Sequence, residues 1–486
     1  MKQGLQGGQL SFLAPIDLDR IHDGALRLLE ECGIRCIPDV LRKTFAGGGA
    51  EVDHDRQTVK FPRHLVEWAL RSAPKSFILP GRDPAFDLLI EQRRVYYGMG
   101  GSPVPFFWDW QEQILRCPVE ADMVSCTRVG HALGNVDFIM SLAAAGDVPQ
   151  ELHYLYEYNA VLRNSTKPII YSAPSRRYAA MFLDMAAAAS GGESEFRRRP
   201  SVMLFSQPTS PLEIGSYNEG MIEFAAWGAP ILFSPGIMLG ATGPATLAGA
   251  LVQGNAENLA GLVLSQLLKP GTPVVYGVHT PVLDMRTMRC TYAGTEQSLG
   301  RAAMAQLARH YGLPSFNTGG GCDSKAVDSQ AAAEATMGIF LNGLSGLTLT
   351  QTMGTMAGGT FGSLEMLIIC DEIVAMAKRI LGGVDTSNEK LAVDVIKGVG
   401  PGGHFLDLEH TLRHFRQEFF FPRLFDRRGI PEWEADGAKG IDEVARSRVK
   451  EILAEPAPQI LSPSADRALE QAFRKLIKES RALWER

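Results

Sequence analysis

The chain has 486 residues, 45% hydrophobic and 21% charged, with a formal net charge of −6. That balance argues against nucleic acid as a partner, since phosphate binding needs a clustered basic face and the one basic run, Arg197–Arg199, sits in a connector before Pro200. No stretch has the length of a membrane span or a signal-peptide core, and seven scattered cysteines suggest neither a disulfide framework nor a zinc site, so a reduced, cytoplasmic globular protein is expected.

Taken in chain order, DLDRIHDGALRLLEECG (17–33) has the apolar spacing of an amphipathic helix. AEVDHDRQTVKFP and SFILPGRDPAFDLLIEQRRVYY read as hairpins, with a helix over 63–72 between them. Residues 1–92 are therefore an N-terminal α+β cap. Eight short β-rich runs follow: RRVYYG, VDFIMSL, KPIIYSA, SVMLFSQ, PILFSPG, TPVVYGV, LPSFNTG and GLTLTQT. They begin at 93, 136, 167, 201, 230, 272, 313 and 346, and each gap is long enough for a crossover helix. The intervening segments are rich in alanine and leucine, and several end in the glycine expected just beyond a helix. The pattern predicts an α/β fold, a (β/α)8 TIM barrel over 93–385. The alternative is an open doubly wound sheet, but no GxGxxG opens any of the helices. Residues 386–486 form a C-terminal helical extension, including HTLRHFRQEFF, GIDEVARSRVKEILAE and a final solvated helix that packs on the barrel.

Chemistry in such barrels sits on the loops that follow the strands. Those ends carry GMGGSPVPFFWDW with its aromatics, then Ser172, Ser206 with Gln207, Ser234, Tyr276 with His279, Asn317 with Thr318, and Thr350 with Gln351. They present no His, Asp or Glu set for a tightly held metal, and none ends in a lysine for a Schiff base. GGGCDSK (319–325) stands where barrels often bind phosphate. Asp323 beside the exposed amides disfavours an anion and reads as a helix N-cap. Cys322 has no neighbouring base, and the simplest reading is a glycine turn that opens room at the mouth.

YGMGGSPVPFFWD, GATGPATLAGALVQGNAENLAG, FNTGGGCDSKAVDSQAAAEA and GTMAGGTFGSLEMLIICDEI closely resemble segments of the trimethylamine:corrinoid methyltransferase superfamily. IHDGALRLLEECGI and HTLRHFRQEFFFPRLFDR resemble its terminal segments, so the likeness spans nearly the whole chain. It implies a barrel that moves a methyl group from a methylated amine to the Co(I) of a corrinoid (cobalamin) carried by a separate corrinoid-binding protein. The trimethylamine enzymes of this superfamily contain pyrrolysine, whereas this chain has only the standard twenty residues. It therefore resembles the non-pyrrolysine branch, whose members act on quaternary amines such as glycine betaine. No catalytic residue is carried over.

The expected enzyme is thus a quaternary amine:corrinoid methyltransferase with no tightly bound cofactor or metal of its own, a small-molecule substrate and no membrane partner. A quaternary nitrogen already bears the charge that makes it a leaving group, so the barrel has only to hold and aim it. Candidate substrate-binding residues are Tyr97, Phe107, Trp108, Tyr276 and Asp323 for the cation. His279, Asn317 and Gln351 are candidates for the far end of a zwitterion. Glu257 and Glu365 are expected to act as supports. A homo-oligomer is expected from the long C-terminal extension. The alternatives are a different barrel enzyme, a lyase or decarboxylase on a small acid, marked by activity without corrinoid, or a non-catalytic quaternary-amine binding protein, marked by binding without turnover.

Overall fold

The computed structural model describes residues 1–484 apart from Gln3 and Ser102. Its centre is eight parallel strands: β1 (Arg94–Met99), β2 (Phe138–Ile139), β3 (Ile169–Ser172), β4 (Val202–Ser206), β5 (Ile231–Phe233), β6 (Val274–Gly277), β7 (Ser315–Thr318) and β8 (Leu349–Met353). Each pairs with the next, and β8 returns to β1 with Leu349 opposite Tyr96 and Thr350 opposite Tyr97. The sheet is closed, as the eight sequence runs predict, and the open-sheet alternative is excluded. Around it run α1 (Glu120–Ala132), α2 (His153–Asn164), α3 (Arg176–Ala189), α4 (Gly220–Trp227), α5 (Leu247–Leu268), α6 (Thr295–His310), α7 (Ser329–Ser345) and α8 (Leu364–Leu381).

Side chains alternate along every strand, so each strand serves two cores. The inward set, Tyr96, Phe138, Ile170, Met203, Phe205, Leu232, Val275, Phe316 and Leu349, fills the barrel. Leu79, Leu88 and Ile90 from the hairpin Ser76–Leu79/Leu88–Glu91 join the same cluster and plug its N-terminal end. The outward set, including Tyr97, Tyr171, Phe233 and Tyr276, packs under the helices. Gly98 shows how tightly the inside is filled: a Cβ there would lie 2.2 Å from the Phe138 ring.

The N-terminal helix Pro15–Arg27, the hairpin Glu51–Asp53/Thr58–Lys60 and the helix Arg63–Ser72 match the sequence reading. Leu29, Phe45, Phe61 and Leu65 from this region belong to the barrel's outer core, so packing is continuous across residue 92. Near the C-terminus, Ile441–Ala454 packs on α8 and α1, and Pro463–Trp484 lies along α2 and α3. Arg163 on α2 pairs there with Glu470, and Tyr156 meets Phe473 edge-on. No described helix is long and apolar enough to cross a membrane.

Asp137, at the start of β2, is 2% exposed and ties three segments together. Its carboxylate accepts from the Tyr97 amide at 3.0 Å and pairs with Lys2 at 3.0 Å and Lys378 at 3.4 Å. Burial alone would raise its pKa, but Lys378, Lys2 and the amide hold it below the ordinary carboxylate range. Asp137→Asn is expected to cost about 3 kcal/mol in urea unfolding at neutral pH. A depressed folded pKa means this contribution is present above the unfolded Asp value and lost as pH falls through the folded one. The gap between wild type and variant should therefore shrink only in acid.

Candidate functional site

At the C-terminal ends of the strands lies a cavity of about 300 Å³, at the small end of the roughly 300–1,000 Å³ usual for ligand sites. Gly101, Pro103 and Val104 line it after β1, Phe205 and Gln207 at β4, Gly236, Met238 and Thr242 after β5, and Thr318 at β7. Around β6 stand His279, Pro281, Cys290 and Tyr292, with Gln297 from α6. Gln351, Thr352 and Thr355 complete it after β8. Among the described residues, none that lines it is an aspartate, glutamate, lysine or arginine. No group of three or more His, Cys, Asp or Glu among the described residues is placed to hold a metal ion.

The register of β8 puts its end in this wall. Pairing with β1 shifts between Thr350 and Met353, and such an irregularity re-aims side chains. Thr352 has a φ of +78°, an unusual value for a β-branched residue. It is held there because its amide donates to Gly100 O at 2.7 Å while its Oγ1 accepts from the Gly319 and Gly321 amides at 3.1 Å each.

The glycine loop supports this turn. Gly319 and Gly320 donate to Gln351 O, Cys322 to Thr355 O, and Asp323 to Glu334 Oε2. A Cβ on Gly320 would sit 2.9 Å from the Met353 backbone. With its amides engaged, the loop is no anion cradle. Asp323 is not the helix cap expected of it. Its oxygens accept from the Tyr292 and Ala293 amides at 2.8 and 3.1 Å, and Asp328 caps α7. Asp323 thus stands behind Tyr292 and holds that ring's loop.

His279 is fully defined by its neighbours. Asn317 Nδ2 donates to Val278 O at 2.8 Å, which turns Asn317 Oδ1 toward His279 Nδ1, 2.9 Å away, and toward the Thr318 amide. An oxygen already accepting can only accept again, so Nδ1 carries the proton and Nε2 keeps a lone pair. Burial, with Arg301 adding to it against the pull of Asn317, lowers the His279 pKa to about 4. The imidazole is neutral, and Nε2 has no hydrogen-bond partner among the described residues. Gln351 Oε1 is likewise unpartnered. His279 therefore offers no cationic donor to a carboxylate, which corrects the role expected of it. Asn317 touches His279 rather than the cavity.

The aromatic candidates are placed otherwise than expected. Tyr97 and Tyr276 face outward: Tyr97 donates to Ile339 O on α7 at 3.2 Å and Tyr276 to Asn255 Oδ1 on α5 at 2.9 Å. Phe107 and Trp108 belong to the hairpin Phe106–Asp109/Ile114–Arg116, which rims the mouth beside Phe361–Gly362. Phe107 is buried beneath the Arg116 guanidinium, and Trp108 packs half-buried against the outer core. Arg116 ties the two strands of this hairpin together through Asp109 at 2.7 Å and anchors it to α1 through Asp122 at 2.6 Å. The rings that do line the cavity are Phe205 and Tyr292.

Both supporting glutamates lie behind the wall. Glu257 accepts from the Leu212 amide, Ser210 and Gln253, and Gln253 reaches on to Thr242 O. Burial raises its pKa. Glu365 accepts from Gln113 on the rim hairpin and lies 3.6 Å from Arg446 of the C-terminal extension.

The closed barrel thus carries a small cavity at the C-terminal ends of its strands, the face where barrel enzymes hold their chemistry. Residues 6–480 match the family described as Trimethylamine methyltransferase (MTTB). A trimethylamine methyltransferase of Desulfitobacterium hafniense strain DSM 10664 / DCB-2 is 34% identical over 458 residues, covering 94% of this chain and 92% of that protein. A glycine betaine methyltransferase of D. hafniense strain Y51 is 32% identical over 473 residues, 95% of this chain and 96% of that one. A trimethylamine methyltransferase of Methanosarcina barkeri strain Fusaro / DSM 804 is 33% identical over 455 residues, 92% of each. The chain belongs to the trimethylamine methyltransferase family, and it is a methyltransferase.

The tautomer can be read directly. Nitrogen NMR of His279 is expected to show a protonated Nδ1 and a bare Nε2, with no titration between pH 6 and pH 8 because its pKa lies at about 4. A midpoint near the ordinary histidine value would refute the assignment.

Proposed function

We propose that the cavity binds a quaternary amine, R–N⁺(CH3)3, of the glycine betaine type and presents one N-methyl group to the Co(I) corrinoid of a separate protein. The observation that carries this reading is the wall itself: two aromatic rings, hydroxyls and amides, and no charge. A compact cation whose charge is spread over methyl groups is bound by ring faces, each worth about 0.5–2 kcal/mol. Phe205 and Tyr292 are in place to do so. An uncharged wall also suits a substrate that is neutral overall. The amide groups of Gln207 and Gln351 and the hydroxyls of Thr242 and Thr318 are among the lining groups able to donate to a carboxylate.

The reaction asks little else of the barrel. The acceptor carried by the partner supplies the electron pair for the new bond to carbon. The C–N bond breaks, nitrogen keeps its pair, and a neutral tertiary amine departs. No proton moves, so the neutral imidazole and the lack of carboxylates in the wall cost nothing in rate. The barrel's contribution is to hold the nitrogen and one methyl carbon in line with the opening, and to exclude water behind them with Phe205 and Phe316.

Tyr292→Ala is expected to weaken glycine betaine binding about tenfold by calorimetry, the loss of one desolvated ring contact. Trp108→Ala, on the rim hairpin, is expected to leave it within about twofold, because that ring faces the outer core. With a Co(I) corrinoid protein added, methyl-cobalt absorbance should rise with one equivalent of tertiary amine released. Absence of both binding and methyl-cobalt formation with glycine betaine, choline and carnitine would sink the reading.

A further inference from the structure

Two acceptors in the wall of the mouth cavity are left without donors. His279 is 7% exposed and Gln351 5%, and both line the cavity. His279 Nε2 and Gln351 Oε1 are buried with no hydrogen-bond partner among the described residues. Such groups are rare in a folded chain and point to a donor that the chain does not supply. The two differ in freedom. Gln351 carries a carbonyl and an NH2 on one amide, so a half-turn of that group exchanges acceptor for donor. His279 has no such choice. Asn317 Nδ2 is committed to Val278 O at 2.8 Å, so Asn317 Oδ1 holds the Nδ1 proton at 2.9 Å and Nε2 keeps its lone pair. The ring stands edge-on to Phe316 at 5.7 Å and to Phe205 at 6.5 Å. Its backbone is fastened to the loop after β5, the amide donating to Pro235 O and the carbonyl accepting from Ile237, each at 2.8 Å. Arg301, the buried cation on α6, donates instead to Tyr292 O and Ser298.

We propose, on the quaternary-amine reading above, that His279 determines specificity: its Nε2 accepts the O–H of a substrate that carries a hydroxyl as well as the quaternary nitrogen. Glycine betaine has neither O–H nor N–H. It would close the cavity over a bare acceptor, and a site built to hydrogen-bond a hydroxyl discriminates against the analogue that lacks it. A hydroxyl donates one hydrogen and keeps its own lone pairs, so it answers the fixed acceptor of His279 and remains open to the adaptable amide of Gln351. The rings of Phe205 and Tyr292 stay with the methylated nitrogen, and a cavity of about 300 Å³ has room beside it for a short hydroxylated chain. The hydroxyl takes no part in the displacement. Its proton stays on oxygen, shared with Nε2, and the group leaves intact on the tertiary amine. His279 thus selects and orients the substrate, and the transfer itself draws on neither of its nitrogens.

Calorimetry on the full chain with two matched pairs of ligands tests this. Choline is compared with propyltrimethylammonium, and carnitine with 4-trimethylammoniobutyrate, so that each pair differs in the hydroxyl. The hydroxylated member of each pair is expected to bind at least about tenfold more tightly. His279→Phe, which keeps a ring and removes the acceptor, is expected to bring each pair within about twofold by weakening the hydroxylated member. A readout on the wild type stands independently of how that variant folds: the nitrogen resonance of His279 Nε2 should move toward the hydrogen-bonded position with choline and stay in place with propyltrimethylammonium. Equal affinities within both pairs, as an ordered water on the two acceptors would give, overturn the proposal and leave the quaternary-amine reading standing. A preference that survives in His279→Phe overturns it too, as does tighter binding of trimethylammonium than of choline, which would make the nitrogen the donor. No binding by any of these ligands overturns both.

Discussion

The pairing of β8 with β1 is the constraint on which the rest depends. It turns a twisted sheet into a barrel with two ends, and the hairpin at Leu79, Leu88 and Ile90 plugs one of them. What remains is a single opening. The same pairing slips after Thr350, and the slip swings Gln351 and Thr352 into the wall. Strain at Thr352 is held by the glycine loop, whose Gly320 can lie against Met353 only because it lacks a side chain. Closure, pocket and glycine loop are one arrangement.

Within it, polarity is set by elimination. The Val278 carbonyl fixes Asn317, Asn317 fixes the His279 tautomer, and burial keeps the imidazole neutral. The carboxylates near the mouth are all turned to structural work: Asp323 on the Tyr292 loop, Glu257 on the loop after β4, Glu365 on the rim hairpin. For the quaternary amine proposed above, the leaving group brings its own charge and the displacement needs no proton carrier. An uncharged wall favours orientation over tight ground-state binding, which is the division that speeds a reaction.

The strands were legible because a buried parallel sheet writes short apolar runs separated by crossover lengths, and eight such runs leave little else to build. The pocket was less legible because the candidates came from the ends of runs without regard to alternation. Phe316 faces inward, so Thr318 does also and Asn317 does not; Met203 faces inward, so Phe205 does. Applied to Val275 and Tyr96, the same count turns Tyr276 and Tyr97 outward under the helices. That rule recovers Phe205 and removes both tyrosines. It does not find Tyr292, which reaches the pocket from a loop held by Asp323 across 31 residues of chain. Nor does it give the His279 tautomer, which depends on the Asn317 amide of the next strand and on the Val278 carbonyl that orients it.

Helix α8 ends at Leu381, the root of the C-terminal arm over residues 382–444, and begins at the mouth, where Glu365 meets the rim hairpin. Apolar residues exposed there, such as Met285 and Met288 on the hairpin Val282–Asp284/Arg289–Thr291, are few and interleaved with Arg286 and Arg289. The arm beyond α8 is the reverse, a long apolar stretch with no core of its own. Glu365 at one end of α8 and Arg379 at the other are bound to different parts of the C-terminal extension, so that helix is the strut along which the extension is carried past the mouth.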